Sequence, residues 1–180
     1  MKYYIVALFD KESYEILTPL QKKISKKYRA NRRSPIPHIA LDIIETSNIE
    51  KVTPVMEKVL KPYKRFKIEY KDNISVSDTL RTINIKVQDR GYIKKIYQSL
   101  TDYFELNGVN VKFTPNRDIG ISLASINHFH KDKINPNSEV SCDSNDNEKI
   151  NTLKIDRLEI WKIGSNKKEL CLKSFPLKAF

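Results

Sequence analysis

Pro37-His38-Ile39-Ala40-Leu41 and Ile119-Gly120-Ile121-Ser122-Leu123 sit at similar places in the two halves of a 180-residue chain. In an extended strand alternate side chains share a face, so His38 and Ala40 point one way while Ile39 and Leu41 point into a core. Gly120 and Ser122 stand in the same relation. One run carries an imidazole without a hydroxyl partner, and the other carries a hydroxyl without an imidazole.

The surrounding sequence alternates strand and helix signals. Tyr3 to Phe9 is a continuous apolar and aromatic run, expected as a buried central strand. Tyr14, Leu17, Leu20, Ile24 and Tyr28 follow at helical spacing, with Lys22, Lys23, Lys26 and Lys27 on the outer face. Pro19 suggests that the regular helix begins there, with Thr18 as its cap. Ser34-Pro35-Ile36-Pro37 then forces an extended entry into a strand over 36–44. Ser47-Asn48-Ile49-Glu50 has capping-box spacing ahead of a second helical stripe, Ile49, Val52, Met56, Val59 and Leu60, with Pro54 tolerable in its first turn. Phe66 to Tyr70 and Leu80 to Val87 alternate with period two, and Lys71-Asp72-Asn73 between them suggests antiparallel neighbours. Asp89 is expected to cap a third helix carrying Ile93, Ile96, Tyr97, Leu100 and Phe104, stopped at Asn107-Gly108. Strands over 109–113 and 118–125, joined by a Pro115-Asn116 turn, lead to a polar stretch over 127–151, read as a loop or flexible insertion. Leu153 to Ile163 and Leu170 to Phe175 close the chain as a hairpin about Gly164-Ser165-Asn166. This order predicts an α+β fold in one domain over 1–180.

Composition narrows the function. Thirty-three Lys and Arg against 22 Asp and Glu leave a formal charge of +11, which favours polyanion partners, although a solvated lysine-rich surface explains it equally. Two cysteines, Cys142 and Cys171, without CxxC spacing argue for a reduced, cytoplasmic protein with no zinc site. No apolar run approaches membrane-spanning length, and the amino terminus does not read as a signal peptide.

The order of these elements, together with the PHxxL strand, resembles the 2H phosphoesterase superfamily, whose best-known members are bacterial 2'-5' RNA ligase or RNA 2',3'-cyclic phosphodiesterase proteins. The resemblance runs from Lys2-Tyr3-Tyr4-Ile5-Val6-Ala7-Leu8 to Ile155-Asp156-Arg157-Leu158-Glu159-Ile160 and Phe175-Pro176-Leu177, outside the 127–151 insertion. It implies two similar antiparallel sheets with flanking helices around a central cleft, each lobe contributing one His-x-Thr/Ser strand. His38 matches the first histidine and Ser122 the second hydroxyl; Ala40 replaces the first hydroxyl and Gly120 the second histidine. Opening a cyclic phosphate needs one group to take a proton and another to give one, with donors on the phosphate oxygens. Imidazole suits either proton role.

The implied site therefore comprises His38 and Ser122 as catalytic residues, with Ala40, Gly120, Arg32, Arg33 and Arg117 about the substrate, because arginine holds phosphate through parallel donors. No metal or other cofactor is expected, and the expected partner is RNA or a nucleotide phosphate. His128 and His130 are candidates to replace the missing imidazole or, with Asp132, to form a metal site; Asp118 is a candidate base. Tyr28, Tyr63 and Tyr70 are candidates for base stacking, and core packing explains them as well. Three readings follow: a phosphate-binding protein with weak or lost cyclic phosphodiesterase activity, an active phosphodiesterase or ligase with a recruited second group, and a protein-binding scaffold. The residues at 40 and 120 favour the first.

Overall fold

A computed structural model describes residues 1–30, 35–77, 81–88, 91–112, 119–126, 151–163 and 169–179. Its elements run β1 (Lys2–Phe9), α1 (Lys11–Lys27), β2 (His38–Glu45), a 3₁₀ turn (Ile49–Lys51), α2 (Val52–Leu60), β3 (Phe66–Ser77), β4 (Thr82–Val87), α3 (Gly91–Leu106), β5 (Asn110–Val111), β6 (Gly120–Ser125), β7 (Asn151–Ile163) and β8 (Glu169–Pro176). The fold is α+β, with antiparallel pairing between all the named strands.

Strand order is β1-β2-β6-β4-β3-β7-β8, and a β1–β7 pairing closes the path into a ring. One half is β2-β1-β7-β8 and the other β6-β4-β3. They meet at two seams. The longer joins Phe66–Tyr70 of β3 to Asn151–Ile155 of β7. The shorter consists of two residue pairs, His38 opposite Ser122 and Ile39 opposite Ile121. β7 spans both halves: its first residues pair with β3, its later ones with β8, and its other edge with β1.

One sheet face packs against the helices. Ile5, Ala7 and Phe9 of β1, Ile39 of β2, Ile83 and Ile85 of β4 and Ile121 of β6 meet Leu17 and Ile24 of α1, Met56 of α2 and Ile93, Ile96, Leu100 and Phe104 of α3 in the main core. Val6, Leu8 and Trp161 form a smaller cluster against Tyr4 and Tyr14. Alternation along β1 separates the two sets.

Several local expectations change. The first helix begins at Lys11, where the Asp10 side chain accepts a hydrogen bond from Ser13 N; Pro19 lies within the helix. Pro19 and Glu15, whose carbonyl would take the missing bond, are both exposed, so water can satisfy that carbonyl. Thr18 is no cap, since its hydroxyl donates back to Tyr14 O at 2.7 Å. Asn48, rather than Ser47, caps the next helical segment by accepting from Glu50 N. Pro54 falls in the first turn of α2, as expected. Lys71-Asp72-Asn73 does not separate two strands; it lies inside β3, where the register with β4 shifts between Tyr70 and Ile74. A bulge absorbs the polar residues without ending the strand. The third helix stops as expected, with Gly108 at a φ of 69° after Asn107. The expected Asp89 cap, the turns at 115–116 and 164–166 and the 127–150 part of the insertion lie outside the described residues.

Asp10→Ala should lower the unfolding free energy by about 1 kcal/mol in urea denaturation. An unchanged midpoint would mean that the first helix does not depend on this cap.

Candidate functional site

The two motif strands are neighbours, and their polar residues face each other. His38 lies directly opposite Ser122 across the β2–β6 ladder, with Ile39 opposite Ile121 on the core side. Adjacent strands are spaced by about 4.8 Å, which makes His38 and Ser122 near neighbours. The next strand continues the row: Asn84 of β4 pairs with Ser122, and Lys86 with Gly120. The Thr82 hydroxyl donates to Asn84 Oδ1 at 2.8 Å and lies 3.4 Å from Ser122 Oγ. His38, Ser122, Asn84 and Thr82 thus form a polar row across three strands, with Ile39, Ile85 and Ile121 buried on the opposite face.

A bulge aims the row. The β1–β2 register passes from Ile5 opposite Asp42 to Val6 opposite Ala40, leaving one extra residue on β2. His38 and Ala40 face the Val6 side, while Asp42 turns to the helices, its carboxylate 3.4 Å from the Thr101 hydroxyl of α3 and 2.7 Å from Ile43 N. Simple alternation would have put Asp42 beside His38.

His38 is held on two sides. Its ring is 4.9 Å from that of Trp161, tilted at 58°. Nδ1 lies 2.7 Å from Ile36 O, a contact that requires the proton on Nδ1 and leaves Nε2 with a lone pair in the neutral ring. The side chain is only 7% exposed. Burial pushes its pKa down to about 4, partly opposed by the Ile36 hydrogen bond, so the imidazole is neutral at pH 7. The Tyr14 hydroxyl donates to Pro37 O at 3.0 Å, fixing the backbone just before His38.

Trp161 is held in turn. Its indole N–H donates to Glu159 Oε2 at 2.6 Å, and Glu159 Oε1 accepts from Arg157 Nε at 2.8 Å. Arg157 also donates to Asp156 at 2.9 Å and to Phe9 O at 3.3 Å. Burial works to raise the Glu159 pKa, but the hydrogen bonds from Trp161 and Arg157 prevail and hold it below the usual carboxylate range. Glu159 and Trp161 escape a reading based on polar motifs; the signal is their i, i+2 spacing with Arg157, which puts all three on one face of β7.

Position 120 is crowded. A Cβ added to Gly120 would lie 3.0 Å from Asn84 Cβ and 3.0 Å from Ile85 O, closer than ordinary packing. Ala40 is buried. Arg32, Arg33, Arg117, Asp118, His128 and His130 lie outside the described residues. Tyr70 is buried in the core, and Tyr28 and Tyr63 pack against it. Tyr63 also lines a cavity of about 300 Å³ between the end of α2 and β8, away from the motif strands. Among the described residues no group of three His, Cys, Asp or Glu side chains is placed to hold a metal, and no helix is long and apolar enough to cross a membrane.

No family model and no curated protein matches the sequence. Solved structures do match. Escherichia coli LigT complexed with 3'-AMP aligns at a TM-score of 0.60 with 13% identity, over 98% of this chain and 97% of its own. A structure described as a phosphoesterase aligns at 0.62 with 12% identity, over 98% of both chains. The protein TT0787 of Thermus thermophilus aligns at 0.60 with 11% identity, over 99% of both. LigT has also been solved with NADP+ and with ATP. The chain has a LigT-like α+β fold.

Two outcomes are expected. With a folded pKa of about 4 against an ordinary 6.5, His38 stays neutral in the native state where the unfolded chain takes up a proton. Its contribution is fully present above about pH 6.5 and is lost as pH falls towards 4, on the order of 3 kcal/mol in all. Urea denaturation at pH 7 and near pH 4.5 should show a smaller acid loss for His38→Gln than for the parent; equal losses would contradict the buried neutral ring. Gly120→Ala should cost about 1–3 kcal/mol through overpacking against β4, read from the same transitions.

Proposed function

We propose that the protein binds RNA or a nucleotide phosphate in a central cleft, on the sheet face where its two motif strands pair, with cyclic phosphodiesterase activity weak or lost. One observation carries this reading: His38 and Ser122 are direct cross-strand neighbours, while the place beside Gly120 is crowded by Asn84. Half of a pseudo-symmetric proton-transfer pair remains. The fold supports it, since the similar LigT has been solved with 3'-AMP, NADP+ and ATP.

The chemistry follows from the geometry. With its Nδ1 proton given to Ile36 O, His38 offers one lone pair at Nε2, suited to accept a proton from a hydroxyl or water. A general base works best with a pKa near the working pH, and burial has carried this one to about 4. Asn84, partly exposed beside the buried Ser122, brings an amide that can hold phosphate oxygens but does not serve as acid at neutral pH. The loss of one proton-transfer group typically costs about 10² to 10⁴ in rate, whereas phosphate binding needs only donors and charge. The net charge of +11 assists that binding.

The test pairs turnover with binding. Incubated with a 2',3'-cyclic nucleotide and a short RNA ending in a cyclic phosphate, the protein should give little or no product, yet should bind that RNA and 3'-AMP in a salt-sensitive way. Arg33→Ala and Arg117→Ala should weaken RNA binding. Efficient turnover that disappears in His38→Ala would refute the binding reading in favour of an active enzyme. An absence of both turnover and binding would leave the scaffold reading.

A further inference from the structure

The family resemblance implies one imidazole from each motif strand, and here position 120 supplies no side chain. The neighbouring strand β4 stands in that place. The Cβ direction at Gly120 runs into Asn84, whose own Cβ lies 3.0 Å from the added atom, and the ladder sets Lys86 opposite Gly120 on the same face. We propose that Asn84 and Lys86 form the phosphate-holding half of the cleft, an amide and an ammonium on β4 replacing the second imidazole. The proposal rests on the nucleotide-phosphate reading above and assigns the residues that would carry it out.

The orientation of Asn84 fits a donor. Its Oδ1 accepts from the Thr82 hydroxyl at 2.8 Å, which fixes the amide plane and leaves both Nδ2 hydrogens to donate. The ladder places Ser122 beside it and His38 beyond Ser122. An anion there would meet the Asn84 amide and the positive charge of Lys86, with Ser122 buried behind them.

The division of roles follows from what His38 lacks. A neutral ring whose N–H is used by Ile36 has no positive charge and no second donor for a phosphate. Its Nε2 can instead accept from a ribose hydroxyl, a protonated phosphate oxygen or water. Lys86 is the cation that strand pairing sets at the vacated position. An amide and a lysine ammonium hold phosphate oxygens without shuttling protons near neutrality, so this substitution keeps recognition while removing the second proton-transfer group. The ligand class is accordingly a nucleotide bearing a terminal phosphate beside a ribose hydroxyl.

Titration calorimetry of the full chain with 3'-AMP and with adenosine, at about 50 and 200 mM salt, tests the assignment. Asn84→Asp is nearly isosteric, but replaces the donor with a negative charge. It should weaken 3'-AMP binding by at least about tenfold while leaving adenosine unchanged. Lys86→Gln should weaken 3'-AMP several-fold and flatten its salt dependence, and Lys86→Arg should retain most of the affinity. Thermal unfolding of each variant confirms that it is folded; should Asn84→Asp fail to fold, the half-buried Lys86 pair decides. Parental 3'-AMP affinity in both Asn84→Asp and Lys86→Gln would overturn this assignment and leave the proposed function standing. Equal losses for 3'-AMP and adenosine would also overturn it, since a merely structural role predicts that. Absence of 3'-AMP binding by the parent protein would remove both readings together.

Discussion

The site depends on a two-rung ladder. β2 and β6 are paired through His38 with Ser122 and Ile39 with Ile121. The core-side rung is two buried isoleucines, and the other is the only imidazole of the described residues set against the only motif hydroxyl. With a seam this short, register is critical, because a one-residue slip would exchange the faces and send His38 into the helix-side core. The bulge between β1 and β2 and the longer β3–β7 seam hold the halves in the position that this register needs.

Behind the seam, side chains are arranged to keep one neutral imidazole in place. Trp161 covers the His38 ring, Glu159 holds Trp161 through its indole N–H, and Arg157 balances the Glu159 charge. The indole, the carboxylate and the guanidinium each have a partner, which is the condition for burying charge at tolerable cost. The consequence is electrostatic: shielding His38 from water disfavours its proton, and only the Ile36 carbonyl works to restore it.

Much of the fold was legible because strands and helices here obey their periods. The apolar run at Tyr3 to Phe9, the stripes of α2 and α3 and the stop at Asn107-Gly108 all appear as expected. The misreadings have local causes. Pro19 reads as a helix start because its missing N–H is usually tolerated only there, yet an exposed position inside α1 lets water serve the orphan carbonyl. Lys71-Asp72-Asn73 reads as a turn by composition, but a register shift keeps it within β3. In the candidate site, alternation made legible that His38 shares a face with Ala40 and Gly120 with Ser122. The positions of Asn84, Lys86 and Trp161 beside them were not legible, because segments far apart in the chain bring them together.

By itself the sequence determined which residues share a strand face and that two similar strands carry one imidazole and one hydroxyl between them; a period of two residues is a local property. Only the tertiary structure decided that these two groups are opposite each other, that His38 is shielded beneath Trp161 and neutral, and that Asn84 crowds the position that Gly120 leaves empty. Register, burial and close approach arise from contacts between distant segments, and none of them is encoded in the spacing of residues along one strand.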